Sequence, residues 1–231
     1  VIMAAGAAGS NALTGVVPVI VNNSTILAEV ENGTETSHSR ITAGDSIGII
    51  AAADSDIYII AGGLAAAGAN AVGASINTAI LKNDIQAHAG TWTELMTTAT
   101  PAVQTSSNGI RIPNRNERRR GIIIFANGNE DVIMVSVSAG AGGSNAITGV
   151  INTLVVRNTV KATSREHVTI SVKKAAGSST NDTDPLPGVY MEAHDDTELL
   201  NLAGALSAAG SVGVGATVVA LVFNKNVTAE T

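Results

Sequence analysis

The sequence predicts an all-β solenoid, in which short strands coil into stacked and similar units. Three observations indicate this fold. A charge-free stretch with an Ala-Gly pair occurs four times, and each copy ends in Asn and a short polar strand. Apolar and polar residues alternate with period 2 in several segments. Finally, Ala, Val and Ile dominate the 45% apolar content, with only two Phe, two Tyr and one Trp, so the core must be thin.

The repeats align on a glycine in the middle of each copy. These glycines are Gly15, Gly73, Gly149 and Gly215. They lie 58, 76 and 66 residues apart, so we expect about four imperfect units with insertions between them. Near the matching strand ends lie Asn22, Asn83, Asn158 and Asn224. Stacked Asn side chains can form a hydrogen-bonded ladder along a solenoid, but ordinary turn asparagines would give the same pattern.

The Ala-Gly pairs are interpreted as coil corners, since small residues let the backbone pass closely and Gly permits a positive φ. Strands are predicted at 46–50, 121–125 and 167–172, the last because Val168, Ile170 and Val172 alternate with polar residues. We expect one solenoid over residues 1–231, with inserted loops at about 91–120 and 174–197. Both ends fall within the repeat pattern, so the chain is expected to be a piece of a longer one.

A small helical membrane protein is the strongest structural alternative. Residues 57–81, 132–156 and 199–223 each form 25 consecutive residues without a charge, enough for a helix to cross a bilayer. Internal asparagines, several glycines and the lack of a Lys/Arg asymmetry at the flanks oppose this interpretation. The strand pattern of the connecting segments opposes it as well, so membrane spans are not expected.

Charge and cysteine content exclude several functions. The formal net charge is −6, whereas non-specific nucleic-acid binding requires a basic surface that displaces counterions. There is no Cys, so neither disulfides nor thiolate metal sites can form. A cysteine-free repeat chain suits export in an unfolded state.

The fourth repeat resembles a known family. The run from Ala203 to Val219, followed by Asn224 and the strand 227–229, is similar to repeats of large bacterial haemagglutinin- and leukotoxin-like surface adhesins. These proteins are exported by two-partner or autotransporter routes. The resemblance implies a right-handed β-helix in an extracellular or cell-surface stalk or adhesive fibre, and it implies no catalytic residue. Residues 91–120 and 174–197 depart from the pattern.

The most concentrated charge is an arginine cluster. Its members are Arg115, Arg118, Arg119 and Arg120. Arginine forks match the oxygens of an anionic glycan, a phosphate or an acidic partner. A solvated turn whose arginines protect the apolar strand at Ile122 from edge pairing is the plainer interpretation.

The second insertion is acidic, and its candidate Ca²⁺ ligands are Asp182, Asp184, Asp195 and Asp196. No regular ligand spacing supports such a site, and adjacent residues of a strand point to opposite faces. The same carboxylates would serve a glycan-cleaving or glycan-binding β-helix, the alternative function. Without a Ser/His/Asp spacing or a phosphate loop, we expect no catalysis and no cofactor. The expected partners are further repeats or other copies stacked head to tail, and a surface glycan or receptor is a further candidate.

Overall fold

A computed structural model describes residues 1–98, 109–115, 117–173 and 187–231. Within these ranges every regular element is a β-strand and no helix occurs. The all-β class predicted from the sequence is therefore confirmed. The strands are β1 (Ile2–Ala8), β2 (Asn11–Val16), β3 (Val19–Val30), β4 (Ser39–Ala43), β5 (Ile47–Ala67), β6 (Asn70–Ala89), β7 (Thr93–Thr97), β8 (Ile110–Arg111), β9 (Arg118–Gly142), β10 (Asn145–Ser164), β11 (Thr169–Val172), β12 (Pro187–Ala209) and β13 (Val212–Glu230).

The strands form three parallel sheets. Sheet A has the order β1-β5-β9-β12, sheet B has β13-β10-β6 with β2 and β3 beside β6, and sheet C has β11-β7-β4. Among the strands of the described residues, only the short β8 pairs antiparallel, with β9. The chain runs along sheet A, turns tightly, returns along sheet B and crosses the short sheet C before it enters sheet A again. Parallel sheets visited in this cyclic order are consistent with a β-solenoid.

The register between successive levels is continuous over long strands. Asn11 pairs with Asn70, Asn70 with Asn145, and Asn145 with Val212, giving shifts of 59, 75 and 67 residues. The alignment of the repeats on their central glycines, proposed from the sequence, is therefore wrong by one residue between successive levels.

The glycines of the repeat fall into two different stacks. Gly15 and Gly149 stack with Ala74 and Ala216, whereas Gly73 and Gly215 stack with Thr14 and Thr148. A shift of one residue exchanges the inner and outer faces of a strand, so the two pairs of glycines point in opposite directions.

The Ala-Gly pairs are not coil corners, contrary to the prediction. Gly6, Gly62, Gly140 and Gly204 all lie inside strands of sheet A. The corners are the short turns at 9–10, 68–69, 143–144 and 210–211. Among the described glycines only Gly109 and Gly121 have a positive φ.

The helical membrane alternative is wrong. Each charge-free stretch folds as the end of a sheet A strand, a corner and the first half of a sheet B strand; residues 57–81, for example, span β5 and β6. In the described ranges no helix is long and apolar enough to cross a membrane.

The core between sheets A and B alternates apolar and polar layers along the strands. The layer next to sheet C is apolar and includes Ile49, Ile85, Ile124 and Val160. A second apolar layer lies at mid-strand around Ile59, Leu81, Met134 and Leu154. Buried polar residues occupy the space between them. The third layer, next to the corners, is built of alanines.

Strands occupy parts of the two ranges, 91–120 and 174–197, that the sequence assigns to inserted loops. Strand β7 occupies 93–97 and β9 begins at Arg118, while β12 begins at Pro187 and includes 187–197. Part of the first insertion lies on the outer face of sheet A, where Ile110 and Ile112 pack against Ile123 and Phe125. We call the described residues 109–115 and 117 the shoulder.

Candidate functional site

The outer face of sheet A carries an exposed apolar surface near the corners. Outward residues stack across levels into columns, because the register is parallel. Five adjacent columns contain no charged or amide side chain, and we call this surface the plateau. They are Tyr58/Ile133/Leu200, Ile60/Val135/Leu202, Met3/Gly62/Val137/Gly204, Ala5/Leu64/Ala139/Leu206 and Ala7/Ala66/Ala141/Ala208. Large side chains here are strongly exposed, such as Leu206 at 69% and Tyr58 at 57%.

The surface of the plateau is uneven, because its side chains differ in size. Two columns consist of large side chains, while the column nearest the corners consists only of alanine. Between Leu64, Leu206 and the small residues lies a shallow depression of about 510 Å³. An exposed apolar surface of this extent is typical of a contact with a partner.

Sheet B also has an apolar outer half near the corners. Its exposed side chains include Leu13, Ile147, Val214 and Val218. The charge-free stretches are therefore apolar on both outer faces, while several residues between the sheets are polar, including Asn77, Ser136 and Asn152.

Charged residues form ladders beyond the apolar half. On sheet A, Asp56, Asp131 and Glu198 stack in register. On sheet B, Lys82 stacks on Arg157. Like charges on adjacent strands repel, so these ladders reduce stability unless countercharges approach them.

A buried polar cluster connects the two sheets at mid-strand. The Glu130 side chain is fully buried and accepts hydrogen bonds of 2.8 Å from Asn83 Nδ2, Asn158 Nδ2 and Thr197 Oγ1. Lys225 Nζ lies 3.2 Å from Asp195 Oδ2 and 3.9 Å from Glu130 Oε2. Burial raises the pKa of Glu130, and the Asp195 charge adds to this effect, while the donors and Lys225 oppose it.

The predicted Asn positions therefore have different roles. Asn83 and Asn158 stack in one column with Ser24 and Lys225. Asn22 pairs with Leu81 and Asn224 with Arg157, so these two belong to other columns.

A hydrogen-bonded Asn ladder does occur, but at the corners. Asn70 Nδ2 donates to Asn11 Oδ1 at 2.8 Å, and Asn145 Nδ2 donates to Asn70 Oδ1 at 2.8 Å. These residues were visible in the repeat, since each begins the motif that contains the anchor glycine.

The arginine cluster is engaged within the chain. Arg115 and Arg119 lie 3.2–3.6 Å from carboxylate oxygens of Glu117 and Glu192. Arg119 also lies over the Tyr190 ring at 4.6 Å. The Arg118 guanidinium donates to the Gly109 carbonyl at 2.8 Å. These contacts attach the shoulder to β9 and β12.

Arg120 is buried and is not part of a solvated turn. Its Nε donates to Asp45 Oδ1 at 2.9 Å, and its Nη2 contacts the same oxygen. Burial alone would raise the pKa of Asp45, but hydrogen bonds from Arg120 and Ser46 and the Arg120 charge lower it overall.

The acidic candidates do not converge. Asp182 and Asp184 lie outside the described residues. Asp195 points into the core, where Asn158 Nδ2 donates to it at 2.9 Å, whereas Asp196 is exposed on the outer face. In the part of the chain that the structure describes, no group of three His, Asp or Glu side chains is arranged to hold a metal ion.

The single Trp is enclosed by histidines from neighbouring levels. The Trp92 ring stacks on His167 with centroids 3.9 Å apart, and His38 lies 5.6 Å away on a tilted ring. His167 therefore covers one face of the Trp92 ring.

Comparison with protein-family models, with curated proteins and with solved structures gives no match for this chain. The geometry therefore carries the functional argument. The plateau is not predicted above, although the sequence contains a signal for it. Both parities of residues 57–67 are apolar, whereas a half-buried strand would alternate.

Proposed function

We propose that this chain is a structural and adhesive segment of an extracellular bacterial surface fibre, folded as a right-handed β-helix of about four imperfect units. The observation that carries the proposal is the continuous parallel register from β1 to β12 and from β2 to β13. A solenoid of this kind extends by adding levels, so its natural role is that of a rod. The resemblance of the repeats to haemagglutinin-like adhesins supports the same role.

Open strand edges support assembly along the solenoid axis. In the described residues β13 pairs only with β10 and β12 only with β9. Core-facing side chains of β13 are consequently half exposed, among them Leu221 at 44% and Phe223 at 47%. Unpaired edges with apolar neighbours bind further strands, whether these come from the same chain or from another copy.

Stacking between copies would be head to tail. Such a contact is heterologous and open, so it generates filaments rather than closed rings. The last level would receive the first level of the next copy in parallel register.

The experiment compares two double variants of the same strand. Val219→Lys with Leu221→Lys places charges on the core-facing side of β13, where a further level would bury them. Val218→Lys with Val222→Lys places the same charges on the outer side and is the control. We expect sedimentation velocity and electron microscopy to show concentration-dependent filaments for the wild type and the control only. Filaments from the core-facing variant, or none from the wild type, would contradict head-to-tail stacking.

Adhesion is tested separately on surfaces. Beads coated with the chain should bind bacterial or host cell surfaces above beads coated with heat-denatured chain. Incubation with acidic and neutral polysaccharides tests the alternative, a glycan-cleaving or glycan-binding β-helix. Reproducible cleavage of a polysaccharide would replace the structural role with that alternative, whereas binding without cleavage would assign a glycan as the adhesive partner.

A further inference from the structure

The plateau of sheet A has the shape and size of a contact between two solenoids. We propose that two copies of this chain pair side by side through their plateaus, around a two-fold axis that runs parallel to the solenoid axis through the column of Val137. This lateral pairing is independent of head-to-tail stacking, because it uses the outer face of sheet A and no strand edge.

The outermost columns of the plateau are complementary in side-chain size under this axis. The rotation places the first of the five columns of one copy opposite the fifth column of the other copy. Tyr58, Ile133 and Leu200 of one copy then face the alanine column of the other, which contains Ala66, Ala141 and Ala208. Large side chains thus enter the shallow alanine groove, while Val137 meets Val137 at the centre. Interdigitation of this kind produces the dry contact typical of packed sheets.

The contact area is sufficient for a dimer. Outward residues are spaced by roughly 6.6 Å along a strand and levels by roughly 4.8 Å. Three columns of four residues and two columns of three therefore cover roughly 570 Å² per copy, or roughly 1,140 Å² for both. A specific protein–protein contact requires about 1,000 Å² in total. The plateau is also at the upper end of the apolar patches that monomers leave exposed, about 300–600 Å².

The shoulder is compatible with this pairing and restricts other arrangements. It packs over Phe125, six columns or roughly 40 Å from the centre. The corner of the partner, next to Gly142, lies within roughly 20 Å of the same centre. Each shoulder therefore lies beyond the corner of the partner. A copy that was merely translated onto sheet A would instead place its own sheet C end against the shoulder.

Charge is also compatible with the two-fold arrangement. The acidic ladder of Asp56, Asp131 and Glu198 borders the plateau on one side only. Rotation places the two ladders on opposite rims, roughly 40 Å apart, well beyond the screening length of about 8 Å at physiological salt. The ladders therefore remain in solvent and do not repel each other.

Two matched substitutions test the proposal. Val137 and Ile147 belong to the same level, are β-branched and are 50% and 52% exposed, but they lie on opposite outer faces. Both variants are made in the Val219→Lys with Leu221→Lys background, which blocks stacking along the axis. Val137→Lys should weaken dimerisation at least about tenfold, because the charge would be buried at the centre of the contact, and Ile147→Lys should change it less than about threefold.

Cysteine variants give a second readout that does not require a large perturbation. The chain has no Cys, so a single introduced thiol reports only on the neighbouring copy. Val137→Cys should be linked into a dimer by a short bis-maleimide reagent, because the residue meets its own copy on the axis across sheets about 10 Å apart, too far for a direct disulfide. Ile147→Cys treated in the same way should remain monomeric on a denaturing gel.

Several results would overturn the proposal. A monomer in the stacking-blocked background at high concentration would exclude the dimer, as would equal effects of the two Lys substitutions or cross-linking at Ile147→Cys only. Binding of the monomer to phosphatidylcholine vesicles, weakened equally by Val137→Lys and Ile147→Lys, would assign the apolar faces to a lipid surface instead. The stacking experiment on β13 can fail while the dimer persists, so the two proposals are separable.

Discussion

The side-chain amide of Asn83 donates a hydrogen bond of 2.8 Å to the carboxylate of Glu130, across the interior of the solenoid from sheet B to sheet A. Asn158, one level further along, donates to the same Oε1 atom at 2.8 Å. A buried carboxylate is costly unless donors and a cation accompany it. Two amides, the Thr197 hydroxyl and the Lys225 ammonium provide this compensation, so the cluster fixes how the two sheets face each other.

The first prediction concerns the pH dependence that Glu130 confers. Its pKa is raised in the folded state, so its contribution is most favourable below the ordinary pKa of a Glu side chain and is lost as the pH rises through the raised value. Glu130→Gln should remove this decline. The measurement is the free energy of unfolding by urea between pH 4 and 8, compared with wild type.

Glu198→Gln serves as the control, because Glu198 is exposed on the outer face of the same sheet. A difference between wild type and Glu130→Gln that stays constant over this pH range would show that Glu130 does not titrate as described.

The second prediction concerns the Asp45–Arg120 ion pair. Arg120 has a side chain only 5% exposed, so Asp45→Asn leaves a buried guanidinium without its carboxylate. We expect a loss of about 2–3 kcal/mol in the free energy of unfolding, less than for a fully buried pair because the Asp45 side chain is 41% exposed. Arg120→Met should cost less, because it leaves no buried charge. Since the pKa of Asp45 is lowered, the wild-type advantage over Asp45→Asn should disappear as the pH falls through that lowered value. An equal or larger loss in Arg120→Met would contradict this account.

The third prediction concerns backbone conformation at Gly121. This residue has a φ of +100°, and a Cβ placed on it would lie 2.1 Å from the carbonyl oxygen of Gly188 on the next level. Gly121→Ala should therefore reduce the free energy of unfolding by roughly 2 kcal/mol or more, and the melting temperature should fall strongly as a result. At Gly149 a Cβ meets nothing within 4 Å, so Gly149→Ala should be neutral or slightly stabilising. Thermal melting followed by circular dichroism distinguishes the two, and similar effects would be inconsistent with the structure.

The fourth prediction separates the Asn ladder at the corners from the Asn positions suggested by the repeats. Asn70 makes two ladder hydrogen bonds, one to Asn11 and one to Asn145. Asn70→Ala should cost about 1–2 kcal/mol in the free energy of unfolding. Asn224→Ala should stay within about 0.5 kcal/mol, because this residue is exposed and no ladder contact of its side chain is seen in the described part of the chain. A larger loss for Asn224→Ala than for Asn70→Ala would contradict the ladder at the corners and favour the Asn positions suggested by the repeats.

The sequence predicted the all-β class because repetition and period-2 alternation are local signals, clearest where Val168, Ile170 and Val172 alternate with polar residues. It did not predict the register, since strand pairing here joins residues 59 to 75 positions apart and one position of error exchanges the two faces. In residues 57–67 both faces are apolar, so alternation could not distinguish the core from the outer surface there.

The buried position of Glu130 could not be predicted from the sequence either. A carboxylate in mid-strand is normally taken as a surface residue. It is buried here because Asn83, Asn158 and Lys225 approach it from strands that are distant in sequence. The buried cluster becomes recognisable only after the levels are stacked in the correct register.

The central claim is the stacking of parallel strands in this register, and disulfide trapping between neighbouring levels tests it most directly. Val72 pairs with Ile147, and both side chains point outward from sheet B, whereas Ala74 pairs with Gly149, two positions away. We predict that Val72→Cys with Ile147→Cys forms an intramolecular disulfide rapidly and quantitatively under mild oxidation. Ala74→Cys with Ile147→Cys should remain reduced. Efficient trapping of the Ala74 pair, or no trapping of the Val72 pair, would contradict the stacked solenoid described here.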